Sequence, residues 1–126
     1  MTLVLDTGAL IALERNERTM WRRLKSAHLT REVPITHGGV VGQAWRGNGP
    51  RSALLAKALA GIDVRALDKE LGKRAGELLA RAKKRDVIDA ALVLIASDGD
   101  VIATSDPEDL KPLARAADRL LDLIET

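Results

Sequence analysis

Two aspartates follow short apolar runs near opposite ends of the 126-residue chain. Asp6 comes directly after Leu3–Leu5, and Asp106 comes two residues after Val101–Thr104. Both runs are too short for helices and are typical of buried strands. In an open α/β sheet, ligands bind at the carboxyl ends of strands, beside a reversal in the winding direction. If these two strands are neighbours across such a reversal, both carboxylates face one crevice.

A second pair of acids lies between them in sequence. Asp86 begins an apolar helical pattern, and Asp89 follows three residues later on the same helical face. Carboxylates gathered at one site repel one another, so without a cation at least one of them would protonate. Mg²⁺ or Mn²⁺ relieves the repulsion, and a metal so held can activate water for in-line attack on a phosphodiester. The acids are therefore compatible with a metal-dependent nuclease.

Each acid also has an ordinary structural explanation. Asp6 and Asp86 suit helix N-caps. Asp106 precedes Pro107 in a common helix opening, and Asp89 could simply face solvent. We favour a functional role for Asp6, because a strand followed by Asp-Thr-Gly is more specific than a cap. A functional role for the other acids is better supported when they are considered together, because all are expected at one end of the sheet.

The elements that must position these acids alternate between strands and helices. Strands are predicted at 3–5, 33–35, 62–67, 101–104 and 120–124. Helices are predicted at 8–15, 19–27, 40–46, 51–60, 69–82 with Asp68 as cap, 86–97, and from 107 onward. Loops are expected at 47–50 and 97–100. This alternation predicts parallel βαβ units with right-handed crossovers, and one α/β/α domain over residues 1–126.

The composition of the chain argues against several kinds of metal site and against a membrane protein. The chain has 46% hydrophobic and 30% charged residues, no Cys, and two His, which argues against disulfides, thiolate metal sites and His-based zinc sites. Net charge is +2, and basic residues group at 15–25, 46–57 and 81–85. A basic rim suits RNA phosphates, although a solvated surface is the alternative. Because no basic leader and no apolar run of about 20 residues is present, we expect a cytoplasmic protein without a membrane span.

Four segments, in order and spacing, resemble the PIN-domain ribonucleases, in particular the VapC-type toxins of bacterial type II toxin–antitoxin pairs. They are Leu3–Ala12, Val41–Gly47, Asp86–Ala91 and Val101–Leu110. The resemblance implies a three-layer PIN-like domain with a central parallel sheet of four or five strands. It also implies Mg²⁺- or Mn²⁺-dependent cleavage of RNA, with tRNA and rRNA as candidate substrates. The partners it implies are a cognate VapB-like antitoxin and a second copy of the chain in a homodimer.

The resemblance also implies roles for particular residues. Family metal acids are matched by Asp6, Asp86 and Asp106. Auxiliary acids are expected at Asp89 and Asp109, with Asp89 as a possible fourth metal ligand. Supporting polar and basic positions, for the acidic site or for contact with RNA or an antitoxin, are matched by Thr7, Thr104, Ser105 and Arg46.

One position departs from the family pattern. The family's second acid normally lies in the stretch matched by Val41–Gly47, and this chain has Gln43 there. Glutamine is neutral, although its carbonyl oxygen can still coordinate a metal or hold a water, so Gln43 stays a catalytic candidate. The lost charge should lower metal affinity, and Asp89 is the candidate to compensate. Asp89→Asn should then weaken Mg²⁺ binding as much as Asp86→Asn, and Gln43→Glu should raise activity if the missing charge is limiting.

Three functions compete on this sequence. The leading hypothesis is a metal-dependent endoribonuclease held inactive by an antitoxin. The second is a catalytically weak PIN-like module that binds RNA or protein, which Gln43 favours. The third is a phospho-accepting receiver, which would need an acidic pair after the first strand and a lysine after the last. The single acid Asp6, and acids instead of lysine after 101–104, argue against the receiver.

Overall fold

A central sheet of five parallel strands organises the computed structural model, which describes residues 1–126. The strand order is β3-β2-β1-β4-β5. The strands are β1 (Leu3–Leu5), β2 (Ile35–His37), β3 (Asp63–Arg65), β4 (Val101–Thr104) and β5 (Asp122–Glu125). The predicted α/β class and parallel sheet are confirmed, at the upper of the two expected strand numbers.

Seven helices connect these strands. They are α1 (Thr7–Glu14), α2 (Arg18–Leu29), α3 (Gly38–Ala44), α4 (Gly49–Leu59), α5 (Lys69–Ala82), α6 (Val87–Ile95) and α7 (Pro107–Ala116). Helices α1 to α4 pack with one another, and α5 to α7 form a second packed group. Because the chain winds one way from β1 to β3 and the other way from β3 to β5, right-handed crossovers place these groups on opposite faces of the sheet.

The core forms where apolar strands and helix stripes meet. A cluster of 27 buried residues fills it, almost entirely Leu, Ala, Val and Ile. The adjacent strands β1 and β4 are covered on both faces, as parallel central strands require. Edge strand β3 is exposed throughout. Asp68 accepts the Leu71 amide at 2.9 Å and caps α5, which confirms its predicted role.

The second strand lies two residues later than predicted, at Ile35–His37 instead of 33–35. Pro34 cannot donate to a ladder, and Val33 is exposed. Two polar residues are buried in this strand: Thr36 donates to the Leu5 carbonyl at 2.7 Å, and His37, which was expected to begin a chain break with Gly38 and Gly39, is fully enclosed. Polar residues form this strand because distant groups satisfy their hydrogen bonds.

The helices that follow also begin earlier than predicted. Helix α3 starts at Gly38 because the His37 side chain accepts the Gly39 amide and caps it. Helix α4 starts at Gly49, with Pro50 in its first turn, where the missing N–H costs nothing. The predicted loop at 47–50 is correspondingly shorter. The other element ends differ from prediction by a few residues, mostly one or two, as capping turns usually do.

The winding direction reverses between β1 and β4, which meets the condition under which the two acids were expected to face one crevice. These strands are neighbours, with Leu5 aligned to Ala103. The Asp6 amide extends the pairing by donating to the Ala103 carbonyl at 3.1 Å. The carboxyl ends of both strands therefore open into one crevice, beside the starts of α1, α6 and α7. None of the helices combines the length and apolarity that a membrane crossing requires.

Candidate acidic active site

Asp6 is the fixed centre of the crevice. It is buried at the N-cap of α1, where one carboxylate oxygen accepts the Ala9 amide at 2.9 Å and the other accepts the Ser105 amide at 3.3 Å. Burial raises the pKa of Asp6, while the Thr104 hydroxyl and these amides oppose the rise. The helix-cap explanation and the functional one are thus compatible, because these bonds hold the carboxylate in place at the end of β1.

Strand β4 delivers the next polar groups to Asp6. Thr104 is buried, and its Oγ1 accepts the Asp106 amide at 3.0 Å, which fixes the turn into α7. Asp106 stands at the N-cap position, yet its exposed side chain makes no capping bond. A Cβ atom added to Gly8 would lie 2.5 Å from Ser105 Oγ, so only glycine lets this turn close over α1. Asp106 is therefore held at the start of α7, and its carboxylate is not used as a helix cap.

Helix α6 contributes the third and fourth acids. Asp86 caps this helix by accepting the Ile88 amide at 2.9 Å and the Asp89 amide at 3.2 Å. Burial raises the pKa of Asp89 to about 6, and the charges of the neighbouring aspartates add to the rise, in the order Asp86, Asp6, Asp109, Asp106. Four carboxylates close enough to perturb a fifth show that the sequence-predicted acids converge.

Asp109 completes the acidic group from the first turn of α7. A hydrogen bond with the Asp106 carboxyl raises its pKa, and the Asp106 charge acts in the same direction, while Lys84 opposes both. A cleft of about 140 Å³ joins these elements; it is lined by Lys84, Arg85, Asp86, Asp89, Asp109 and Leu113. The basic stretch before α6 therefore borders the acids directly.

Gln43 reaches the crevice from α3. Its side-chain carbonyl oxygen accepts a short hydrogen bond from the Thr7 hydroxyl, and Thr7 directly follows Asp6. This contact brings together two residues predicted separately. The bond uses one of the two lone pairs of the oxygen that was expected to hold a metal or a water.

His37 is a site-supporting residue that sequence reasoning missed. Its Nδ1 accepts the Gly39 amide at 3.1 Å, so Nε2 carries the proton and donates to the Ile88 carbonyl at 2.9 Å. Burial lowers its pKa and keeps the ring neutral. His37 thereby joins α3, which carries Gln43, to α6, which carries two acids. Its sequence position, before two glycines at a strand end, is the one feature that could have indicated this role.

Arg46 lies close to the crevice but contacts no acid. Its Nη1 folds back onto the end of α3, donating to the Trp45 carbonyl at 2.8 Å and the Gly42 carbonyl at 3.2 Å. A cation there satisfies helix carbonyls that have no intrahelical partner. The Arg46 guanidinium is exposed, so it remains available to an anion. It contacts the carbonyl of Gly42, the residue before Gln43.

The acids do not form a preassembled metal site. No three acidic or histidine side chains are grouped so that together they could hold a metal ion. The donor set nevertheless fits a hard divalent cation, because it is all oxygen and its negative charge is crowded. Asp86 and Asp106 are exposed, so a cation could reach their carboxylates from solvent. The predicted ligand set of Asp6, Asp86, Asp89 and Asp106 stays a prediction.

Comparison with known proteins finds solved structures with a similar fold. No protein-family model and no curated protein matches the sequence. Solved structures do match, among them the crystal structure of VapBC2 from Rickettsia felis bound to a DNA fragment from their promoter. The match has a TM-score of 0.70 at 12% sequence identity, over 98% of this chain and 99% of that chain. At this identity the likeness shows the fold, and it confirms the PIN-like fold that the sequence resemblance implied.

Proposed function

We propose that the chain is a VapC-like endoribonuclease that hydrolyses RNA phosphodiester bonds with Mg²⁺ or Mn²⁺ at its acidic crevice. The observation that carries the proposal is that five aspartates at the starts of three helices, α1, α6 and α7, gather at the winding reversal of a PIN-like sheet. Burial first, and then the charges of the other four, raise the pKa of Asp89 to about 6. A fold gains nothing from such crowding unless a cation offsets it, so the cluster favours a metal-binding function.

The residues have distinct roles in this proposal. Asp6, Asp86 and Asp106, with Asp89 as a fourth, would hold the cation, which when bound supplies an activated water and offsets charge on the phosphate. Two backbone amides keep Asp6 in place. Thr104 holds the Asp106 turn through its hydroxyl. The chain's own contribution is to gather these oxygens at the open end of the sheet.

Basic residues at the edge of the crevice would bind the RNA backbone. Lys84 and Arg85 line the acidic cleft on one side. Arg46 lies on the other side, near Gln43. Phosphate contacts of this kind are independent of base sequence and weaken as salt concentration rises. They would position the scissile phosphate over the acids without selecting the nucleotide.

A cleavage assay on structured RNA tests the proposed activity. We expect the protein to cut RNA with Mg²⁺ or Mn²⁺ and not with EDTA. Asp6→Asn should lower the rate on the order of 100-fold, as loss of a group that holds a metal does. Asparagine keeps an oxygen for the Ala9 amide, so the helix cap survives, while the charge and the acceptor for the Ser105 amide are lost.

Asp122→Asn serves as the matched control for this assay. Asp122 is an exposed aspartate at the start of β5, away from the crevice. Its removal should leave the cleavage rate unchanged. Cleavage that persists in Asp6→Asn, or in EDTA, would contradict the assignment of the acidic site.

A catalytically weak RNA- or protein-binding module is the second candidate function. Two observations favour it: Gln43 replaces an acid and is already bonded to Thr7, and no three-ligand metal group is preassembled. Such a protein would bind RNA or a protein partner with or without metal and leave RNA intact. Metal-independent binding by wild type, without cleavage in either Mg²⁺ or Mn²⁺, selects this candidate.

The proposal extends to partners. The similar solved structure is a VapBC2 complex, and by analogy we propose a VapB-like antitoxin that neutralises this chain, together with a homodimeric toxin. A short reading frame directly upstream is the place to look for the antitoxin. Its product should co-purify with this chain and suppress RNA cleavage. Light scattering of the chain alone measures whether it dimerises.

A further inference from the structure

Trp45 stands apart from the other aromatic residue in the chain. The sequence has no Phe, no Tyr and two Trp. Trp21 is half-buried, its indole N–H donates to the Leu13 carbonyl at 3.1 Å, and Lys57 Nζ lies 5.8 Å from its ring centroid. Trp45 instead leaves 38% of its surface exposed. Trp21 is thus part of the packing, whereas the packing does not account for Trp45.

The position of Trp45 connects it to the acidic crevice. It is the C-cap of α3, two residues after Gln43, so their Cα atoms are at most about 7 Å apart. Gln43 accepts the hydroxyl of Thr7, which follows Asp6 in the chain. Trp45 therefore lies close in the chain to a residue whose side chain contacts the start of α1 beside Asp6.

The indole is held by its own loop. Gly47 has φ +76°, and a Cβ atom added there would lie 3.3 Å from Trp45 Nε1. The loop backbone therefore lies against one edge of the ring, and only glycine takes this path without strain. Arg46, between them, is anchored on the Gly42 and Trp45 carbonyls. A ring and a cation fixed in advance lose little entropy when a ligand binds.

We infer that Trp45 is a stacking platform for an unpaired RNA base next to the scissile phosphate, with Arg46 contacting the adjoining backbone. This inference rests on the proposed function. An exposed indole provides a π-face to any base, and a neighbouring guanidinium pairs with phosphate. The acids can bind a phosphate only through a cation and cannot hold a base, so Trp45 supplies the contact that the acidic site lacks.

The stacking partner distinguishes RNA from other occupants of the same surface. A protein partner would bury Trp45 without needing a nucleobase, and a simple polyanion would bind Arg46 without covering the ring. A base-dependent change at Trp45 is therefore the diagnostic observation. It predicts preference for single-stranded or looped RNA over duplex RNA, because bases in a duplex are already stacked.

Tryptophan fluorescence provides the direct test. In a Trp21→Phe, Asp6→Asn protein, Trp45 is the single fluorophore, and Mg²⁺ can be present without cleavage. We expect saturable quenching by a short single-stranded RNA. An abasic oligonucleotide with the same number of phosphates should bind more weakly and quench little. Inorganic tripolyphosphate should not quench at all. Equal quenching by the intact and abasic oligonucleotides would overturn the inference.

Substitution at Trp45 supplies the affinity test, with labelled RNA followed by anisotropy in the Asp6→Asn background. Trp45→Ala should raise Kd about 5- to 150-fold, the equivalent of the about 1–3 kcal/mol measured for one stacked base. Trp45→Phe should recover most of the loss, because it restores a ring. Leu120→Ala, at another exposed apolar residue, should leave Kd unchanged. Circular dichroism melting confirms that each variant is folded.

The remaining outcomes separate this inference from the proposed function. Unchanged RNA affinity in Trp45→Ala, with loss of a dimer in sedimentation, overturns the stacking role and assigns Trp45 to an interface between copies. RNA binding by wild type without any effect of Trp45 likewise overturns it while leaving the proposed function standing. Absence of RNA binding by wild type contradicts the proposed function itself, and the stacking inference with it.

Discussion

Asp89 is the residue at which the crowding of negative charge in the cation-free crevice is clearest. Its pKa is raised to about 6, first by burial and then by four neighbouring carboxylates. A raised pKa means that the folded state holds this proton more tightly than the unfolded chain. The stabilising effect is therefore complete at low pH and is lost as pH rises through about 6. Above that pH the metal-free protein has an unfavourable charge in the acidic crevice.

Removal of this charge should stabilise the metal-free protein. In EDTA at pH 8, Asp89→Asn should unfold with a free energy higher than wild type on the order of 1 kcal/mol, a figure reduced for solvent screening. The gain should disappear near pH 4, where wild-type Asp89 is protonated. Urea denaturation across this pH range measures it. Asp122→Asn should show no such pH-dependent gain, and a pH-independent gain at Asp89 would contradict the charge explanation.

The Asp89 variant also tests the ligand set. If Asp89 compensates for the missing acid, Asp89→Asn weakens Mg²⁺ binding as much as Asp86→Asn does. Unchanged metal affinity in Asp89→Asn would remove it from the metal site. Calorimetry of metal binding measures both variants without any need for RNA.

Gln43 can be restored to the acid of the family pattern with little geometric change, because glutamate also accepts the Thr7 hydroxyl. Gln43→Glu should raise Mg²⁺ affinity about tenfold, the effect of about 1.4 kcal/mol of added attraction. In EDTA the same variant should melt at a lower temperature than wild type, because a further carboxylate joins the crowded crevice. Thermal melting with and without Mg²⁺ should therefore shift in opposite directions.

Asn48→Asp is the matched control for the Gln43 substitution. Asn48 precedes α4, is exposed, and makes no side-chain capping bond. It adds the same charge to the same region of the surface without entering the crevice. Equal gains in metal affinity from both variants would show a general electrostatic effect. Equal affinity of Gln43→Glu and wild type would show that the site is adapted to a neutral residue.

Among the elements, α3 and α6 depend on each other through a single side chain. His37 caps α3 through Nδ1 and donates to α6 through Nε2. Because His37 is fully buried, its loss leaves the Gly39 amide without its cap and takes one hydrogen bond from the Ile88 carbonyl. The relative position of Gln43 and the two α6 acids therefore depends in part on this histidine.

His37→Leu should destabilise the protein by about 2–4 kcal/mol, since it removes two buried hydrogen bonds at similar volume. His28→Leu is the control: His28 also bonds a carbonyl, that of Gly61 at 2.7 Å, but is exposed. Its loss should cost under about 1 kcal/mol. Denaturant midpoints measure both. Similar costs at the two positions would show that His37 contributes only an ordinary hydrogen bond.

For the molecule as a whole, the fold combines an apolar core with a polar edge of the sheet. The core consists of small and branched aliphatic side chains, and the two neighbouring central strands are buried on both faces. Parallel strands all end at the same edge, so helix starts and strand ends gather their polar groups there. The acids, the Gln43–Thr7 contact and the cations around them all result from this arrangement.

The sequence alone determined the parts that depend on neighbours along the chain. Alternating strand and helix patterns predicted the sheet, and each acid followed a recognisable strand end or helix start, as Asp6 and Asp86 do. Hydrophobic periodicity and helix capping depend on residues a few positions apart, so they can be recognised in a single sequence. The winding reversal entered only as a condition for bringing the two acid-bearing strands together, and the structure meets it.

Only the tertiary structure decided which polar residues are buried and which charges meet. Thr36 and His37 can be buried in a strand because they hydrogen-bond to the carbonyls of Leu5 and Ile88. These partners lie 31 and 51 residues away in the sequence. Gln43 meets Thr7 across 36 residues, and Asp6 meets the Ser105 amide across 99. No local pattern encodes such contacts, since they depend on how the helices pack. The acids were predicted from sequence, whereas their crowding, the engaged Gln43 oxygen and the free face of Trp45 required the fold.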